Sequence, residues 1–266
     1  MPIMGINFEK CTNCGQCIKD CPMRNYIMDE LQKQTVFDSK GCILCGHCIA
    51  VCPDNAIIYK DMRDDVVNFE ANQEPSELIS YDEMHQFLRA KRSVRQYQSK
   101  KVQIDVIEKV IDSMRYAPTG ANMRMLKCLI LSDKEKIKEL SDSIIEAIAK
   151  RDFDNRLSKI RDEGIDPIFY RAPHVLILYS KNPWDNINSS IAITYGMLSA
   201  QSLGLGTCWI GFAQGVLLEN SEIREKFTGI QTYVLGVMTL GYPAVRYYRA
   251  PPRPPLDVRE IDNSSN

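Results

Sequence analysis

The chain has 266 residues, 44% hydrophobic and 25% charged, which is the composition of a folded globular protein and excludes a disordered or fibrous one. At about 150 residues per domain, that length fits two domains, or one domain and a smaller module. A formal net charge of −1 provides no overall basic field to draw the chain onto nucleic acid.

The main apolar runs, HVLILY at 174–179 and YVLGVMTLGY at 233–242, are too short and interrupted to span a bilayer. The start, MPIMGINFEK, lacks the apolar run of a signal peptide. A cytoplasmic, reducing compartment is therefore expected, with neither membrane nor nucleic acid as partner. Ten cysteines in such a compartment are metal ligands sooner than a disulfide framework.

Eight of those cysteines form two copies of one pattern. CTNCGQCIKDCP at 11–22 and CILCGHCIAVCP at 42–53 both fit C-x2-C-x2-C-x3-C-P. In an iron-sulfur reading, three closely spaced thiolates wrap one face of a cubane, and the cysteine before the proline reaches the other cluster. Cluster one then takes Cys11, Cys14, Cys17 and Cys52, and cluster two takes Cys42, Cys45, Cys48 and Cys21. The alternative, two four-cysteine zinc sites, normally uses two CxxC pairs separated by a longer loop. Gly15 and Gly46 let the backbone pass close to a cluster and aim amides at its sulfurs. His47 lies inside a ligand loop whose ligand positions are already filled, and reads as a surface or supporting residue.

Residues 1–60 thus resemble the bacterial ferredoxin with two 4Fe-4S clusters. One departure stands out. The second motif continues as PDNAI, the first as PMRNYI, so the internal symmetry is imperfect there.

Residues 61–80, polar and acidic without a period, read as a linker. From Tyr81 onward the pattern is that of an α+β or α/β domain with a central sheet. Apolar residues at helical spacing place one helix over YDEMHQFLRA and a second over Val106 to Met114, before Pro118. A strand follows at 126–131, a charged helix near 133–150, a strand at 174–179, a helix near 187–203 stopped by Gly204 and Gly206, and a strand at 233–240. The stretch 150–171 has mixed charge and weak periodicity. No GxGxxG follows a strand and no GxxxxGK[ST] occurs, which disfavours Rossmann and P-loop folds.

Three segments carry chemistry. AKRSVRQY at 90–97 sets arginine forks and a hydroxyl together, a set suited to a phosphate. The bland alternative is a solvated basic helix end. APTGANMR at 117–124 offers a tight glycine turn and an amide able to donate and accept. GYPAVRYYRAPPRPPLDV at 241–258 sets Arg246, Arg249 and Arg253 on a proline-stiffened extended segment.

In this order and separation, these segments are similar to the nitroreductase family of FMN-dependent enzymes, over about residues 82–260. The resemblance implies an α+β fold, with a central mixed sheet surrounded by helices, in residues 81–266. It also implies that Arg92, Ser93 and Arg95, with Lys91 a weaker candidate, grip the FMN phosphate. Pro118, Thr119 and Asn122 fall on the element whose asparagine touches the flavin. GLGTCWIG at 204–211 places Trp209, Ile210 and Gly211 at the isoalloxazine edge, and Arg253 closes over the phosphate. Arg124 stands where the family often has glutamine, which puts a positive charge near the ring, and Pro251 stands where some members carry a second basic residue. Cys128 and Cys208 lie in apolar stretches and read as small buried hydrophobes.

Together the halves imply an oxidoreductase. Electrons pass from an external donor, ferredoxin or NAD(P)H, through two 4Fe-4S clusters to FMN and on to a small electrophile such as a nitroaromatic, quinone or activated alkene. The alternative is an electron-transfer protein linking NAD(P)H to a ferredoxin pool with no organic substrate. The resemblance further implies a homodimer in an anaerobic metabolism. No side chain declares itself as a catalytic proton donor; Tyr195, Tyr170 and water are equal candidates.

Overall fold

The computed structural model describes residues 2–62, 64–69, 74–152 and 155–260. The N-terminal half is built from short elements: β1 (Ile3–Ile6), α1 (Gln16–Asp20), β2 (Tyr26–Asp29), β3 (Gln34–Phe37), α2 (His47–Ala50) and β4 (Ile57–Tyr59). Strands β1 and β4 pair antiparallel, as do β2 and β3. Ile3, Ile6, Tyr26, Ala56 and Ile57 make a small core that includes the buried Cys48, with Cys11, Cys17, Cys21, Cys42 and Cys52 packed against it. The two cysteine motifs each start a helix from a glycine in the left-handed region, Gly15 at φ 73° and Gly46 at φ 79°. Side chains with a Cβ adopt that conformation only at a cost.

The polar stretch 61–80 is tied to the C-terminal part through Asp64. Asp64 pairs with Arg115 at 2.7 Å and accepts from the Tyr116 hydroxyl at 2.8 Å. It leads into α3 (Tyr81–Ala90), whose start is a capping box: the Ser80 hydroxyl accepts from the Glu83 N–H, and the Glu83 carboxylate accepts from the Ser80 N–H.

The C-terminal half continues with α4 (Ile104–Met114), β5 (Lys127–Leu131), α5 (Lys134–Asp152), α6 (Arg156–Asp162), β6 (His174–Ser180), α7 (Asn186–Ser202), β7 (Gly206–Trp209), α8 (Gly211–Glu219), α9 (Ser221–Thr228) and β8 (Tyr233–Gly241). The sheet order is β5-β6-β8-β7 and each of these pairings is antiparallel; the parallel element is a single bridge, Ser93 to Thr207, outside the named strands.

The two central strands are apolar through most of their length because both faces of the sheet are covered. Val175, Ile177 and Val237 join Leu140, Ile144 and Leu217 on the α5 and α8 side. Leu176, Leu178, Met238 and Leu240 join Val110, Ile193 and Ala200 on the α4 and α7 side. Each such side chain, once fully buried, contributes about 1.5–3 kcal/mol. Close approach of α7 to the sheet depends on Gly236, where an added Cβ would overlap the Ile193 Cδ1.

Candidate functional site: two cysteine-lined cavities and a basic groove

Two cavities lie in the N-terminal half. Cys11, Cys14, Cys17 and Cys52 line one, together with Thr35 and Ile57. Cys21, Cys42, Cys45 and Cys48 line the other, together with Asn25 and Tyr26. Each motif therefore supplies three cysteines to one cavity and its proline-flanked cysteine to the other. The backbone adds one donor per cavity: Asn25 N–H donates to the Cys21 sulfur at 3.3 Å, and Ala56 N–H to the Cys52 sulfur at 3.2 Å.

Gathering thiols in this way opposes ionisation. Burial, reinforced by Cys11, pushes the Cys17 thiol up to about 11, and burial likewise raises Cys48. A cationic core offsets both costs, so the donor set fits iron-sulfur clusters. Among the described residues, no group of three or more His, Cys, Asp or Glu is placed to hold a single metal ion.

The C-terminal half carries an open groove of about 490 Å³, lined by Lys91, Arg92, Ser93, Arg95, Tyr247, Pro251 and Arg253 among others. Segment 92–95 lies along β7: Val94 N–H donates to the Thr207 carbonyl at 3.0 Å. Gly206 permits that approach, since a Cβ there would meet the Val94 side chain at 2.8 Å. Arg92 donates through Nη2 to the Arg89 carbonyl, and its Nε is buried without a hydrogen-bond partner among the described residues. Burial, with Arg92 adding to it, lowers the Lys91 pKa. A groove with an orphaned guanidinium N–H and a destabilised ammonium fits a phosphate, whose charge would satisfy both.

Of the other sequence-derived residues, Trp209 is half-buried against the α4 and α7 core, and Ile210 is buried with its N–H donated to the Val237 carbonyl at 2.8 Å. Gly211 is exposed at the first turn of α8, and Pro118 is exposed. The Thr119 hydroxyl accepts from the Arg124 N–H at 3.3 Å. Cys208 is buried, and burial pushes the half-buried Cys128 up to about 12, as an unreactive thiol requires.

Sequence reasoning had no access to the contact that Asn122 makes. Its amide donates to the Ile43 carbonyl at 2.9 Å and to the Leu44 carbonyl at 2.7 Å, and its Oδ1 accepts from Arg124 Nε at 2.9 Å. Arg124 Nη2 also donates to the Leu44 carbonyl at 3.3 Å. Ile43 and Leu44 lie between Cys42 and Cys45, so this segment of the C-terminal half grips the loop of the second cysteine motif. Both sides hold left-handed backbone, Leu44 at φ 55° against Ala121, Asn122 and Arg124 at 48°, 53° and 50°. Such strain is sustained by the surrounding bonds and gathers where geometry matters.

Residues 88–242, more than half the chain, match the profile of the nitroreductase family. The chain belongs to the nitroreductase family. It is an oxidoreductase of that family, with residues 3–53 matching the 4Fe-4S dicluster domain, which indicates two clusters. The crystal structure of a nitroreductase with bound FMN from Bacteroides fragilis NCTC 9343 is 26% identical, with a TM-score of 0.55 over 67% of this chain and 99% of that one. A nitroreductase with bound FMN from Desulfitobacterium hafniense DCB-2 shares the fold at 17% identity, with a TM-score of 0.56 over 67% of this chain and 97% of that one. Among curated relatives, the FMN reductase (NAD(P)H) of Bacillus subtilis (strain 168) is 23% identical over 196 residues, covering 66% of this chain and 72% of the relative. The structural neighbours are thus matched nearly whole, while a third of this chain lies outside the match.

Proposed function

We propose that this nitroreductase-family chain is an FMN-dependent oxidoreductase that takes electrons singly from an external donor, ferredoxin by preference, through its two clusters and delivers them in pairs to a small electrophile. Residues 1–60 form the cluster domain, 61–80 the connection and 81–266 the flavin domain. The observation that carries this reading is the grip of Asn122 and Arg124 on the Ile43–Leu44 carbonyls. A dicluster domain docked by its ligand loop against the segment that the family resemblance assigns to the flavin acts as a wire, not as an appendage.

FMN, when bound, supplies the interconversion of one-electron and two-electron chemistry. The chain's own residues do the rest. Arg92, Ser93, Arg95 and Arg253 hold the phosphate in the groove, with Lys91, whose ammonium burial disfavours, beside it. Asn122, on the turn that the family resemblance assigns to the flavin, has its side chain on the cluster loop. Trp209, Ile210 and Gly211 form the strand end at the ring edge, with Pro118 and Thr119 shaping the turn opposite. Cys42, Cys45, Cys48 and Cys21 would hold cluster two, behind the loop that Asn122 grips, and Cys11, Cys14, Cys17 and Cys52 would hold cluster one; when bound, the clusters would supply one-electron transfer.

A homodimer completes the reading. Helix α3 has Met84, Phe87 and Leu88 at helical spacing yet buries none of its residues, and Trp184, Ile187 and Tyr195 are exposed nearby in the chain on and before α7. A second copy laid on these faces would bury them. No helix among the described residues is long and apolar enough to cross a membrane.

The test is anaerobic mixing of the cluster- and FMN-loaded protein with reduced ferredoxin, NADH or NADPH while flavin absorbance is followed. Fast bleaching by ferredoxin alone supports the inward path. Bleaching by NAD(P)H first, with the clusters following, favours the second reading, electron exchange between NAD(P)H and a ferredoxin pool, to which the NAD(P)H in the name of the Bacillus relative lends support. Arg92→Ala should weaken FMN binding about 10- to 100-fold, the loss of a charge-assisted bond of about 1.5–3 kcal/mol, with iron content unchanged.

A further inference from the structure

Two hydroxyls in the N-terminal half are buried and unsatisfied. Thr35, on β3, is 1% exposed and Tyr26, on β2, is 2% exposed; neither hydroxyl has a hydrogen-bond partner among the described residues. Leaving such a group unpaired costs about 1–3 kcal/mol of desolvation, so a native fold rarely holds two of them a few residues apart without a partner in view. Each lines one cysteine cavity and not the other. Thr35 sits with Cys11, Cys14, Cys17 and Cys52; Tyr26 sits with Cys21, Cys42, Cys45 and Cys48, its hydroxyl close to the Cys48 sulfur.

The cavities share some further polar features, although Thr12, Gln16 and Asp54 line only the first and His47 only the second. One backbone N–H reaches the proline-flanked cysteine of each. One side-chain carbonyl lies near a sulfur of each, Asn13 Oδ1 at 3.6 Å from Cys11 and Asn25 Oδ1 at 3.7 Å from Cys21. Each cavity also has one buried hydroxyl without a partner, from a different residue type on a different strand. Tyr26 belongs to the PMRNYI stretch that breaks the symmetry of the motifs. The corresponding residue after the second motif is Ile57, which has no donor.

We propose that Thr35 and Tyr26 each donate an O–H···S hydrogen bond to the cluster in their own cavity, Thr35 to cluster one and Tyr26 to cluster two, and so set the two reduction potentials separately. This rests on the cluster reading given above. A donor aimed at a cluster sulfur stabilises the more negative, reduced form more than the oxidised one and raises the potential. Neither residue is a ligand; both act through the sulfurs. Only one electron enters or leaves each cluster, and no bond is made or broken. The separate settings give the cell's donor and the flavin domain two couples to match, with the tyrosine serving the cluster whose loop Asn122 grips.

The experiment is a mediator-poised redox titration, read by EPR, of the full chain loaded with iron and sulfide, comparing wild type with Tyr26→Phe and Thr35→Val. Iron is counted first. About eight irons per chain in all three proteins holds the cluster reading fixed, and fewer in the wild type would overturn that reading and the proposal with it. With eight present, Tyr26→Phe should lower one couple and Thr35→Val the other. At the wild-type midpoint, the reduced fraction of the affected cluster should fall from 1:1 to about 1:10, which is about 59 mV for a one-electron couple. Pulsed EPR after exchange into D2O should show one coupled deuteron lost in each variant. Should Tyr26→Phe fail to load, fluorotyrosine at position 26, which keeps the ring and sharpens the donor, should move the same couple upward. Unmoved couples in fully loaded variants, or both couples moving together in either single variant, would overturn the proposal.

Discussion

At the scale of single residues, His174 shows how a side chain with no role in the chemistry constrains the whole sheet. It is 3% exposed at the start of β6; its Nε2 accepts the Val102 N–H at 3.0 Å, so its proton lies on Nδ1 and goes to the Ser132 hydroxyl at 2.7 Å. Burial, helped by Lys101, lowers its pKa below the ordinary 6.5. The folded chain therefore refuses a proton that the unfolded chain accepts. The stability it contributes is whole above about pH 6.5 and is lost progressively as pH falls below it. Urea midpoints measured from pH 8 to pH 5 should fall for the wild type, and His174→Gln should start lower and show a shallower acid limb. At this scale much was legible in the sequence. The cysteine spacing led to the grouping of the eight sulfurs because C-x2-C-x2-C leaves one local path for three ligands. The partners of Asn122 were not legible, because they lie 78 and 79 residues away and are backbone carbonyls, which no residue type advertises.

At the scale of elements, the strands and helices that carry strong periodicity lie where the pattern puts them: α4 ends at Met114 ahead of Pro118, and α5, β6, α7 and β8 fall within a few residues of expectation. Helices α6, α8 and α9 were not legible. The segment GFAQGVLLE of α8 contains two glycines and is apolar around much of its circumference, so it has no single face to reveal a period, while α6 and α9 are only 7 and 8 residues long and at least half charged. The segment carrying Arg92, Ser93 and Arg95 has no helix or strand of its own and owes its course to β7 beneath it. Gly206→Ala tests that dependence. The Val94 side chain is β-branched and stiff, so it cannot swing away from a new Cβ at 2.8 Å. The substitution should cost about 1–3 kcal/mol and lift segment 92–95 from the strand. Thermal unfolding should report the first effect, and FMN titration a weakened affinity with no arginine removed.

At the scale of the molecule, two kinds of core are joined by a few polar contacts. The C-terminal sheet is sandwiched between two large clusters of fully buried aliphatic side chains. The N-terminal core has five apolar residues and leans on its cysteines, which as free thiols bring burial and crowding but no bonds. A domain of about 60 residues with so little apolar burial needs a staple, a role that bound clusters would fill. Extracting iron with a chelator under mild oxidation should therefore unfold residues 1–60 while leaving the C-terminal sheet intact. Amide exchange should report it: protection lost in β1 to β4 and kept in β6 and β8. The coupling between the halves sets how far the damage spreads. Once the 42–48 loop loses its shape, the Ile43 and Leu44 carbonyls leave Asn122 and Arg124, and the strained turn at 120–124 loses the bonds that hold its left-handed residues. Exchange at Asn122 to Arg124 should then rise with that of the cluster domain, although these residues belong by sequence to the flavin half. If that turn stayed protected after iron loss, its geometry would be held by the sheet alone, and the contact between cluster loop and flavin domain would be incidental to both.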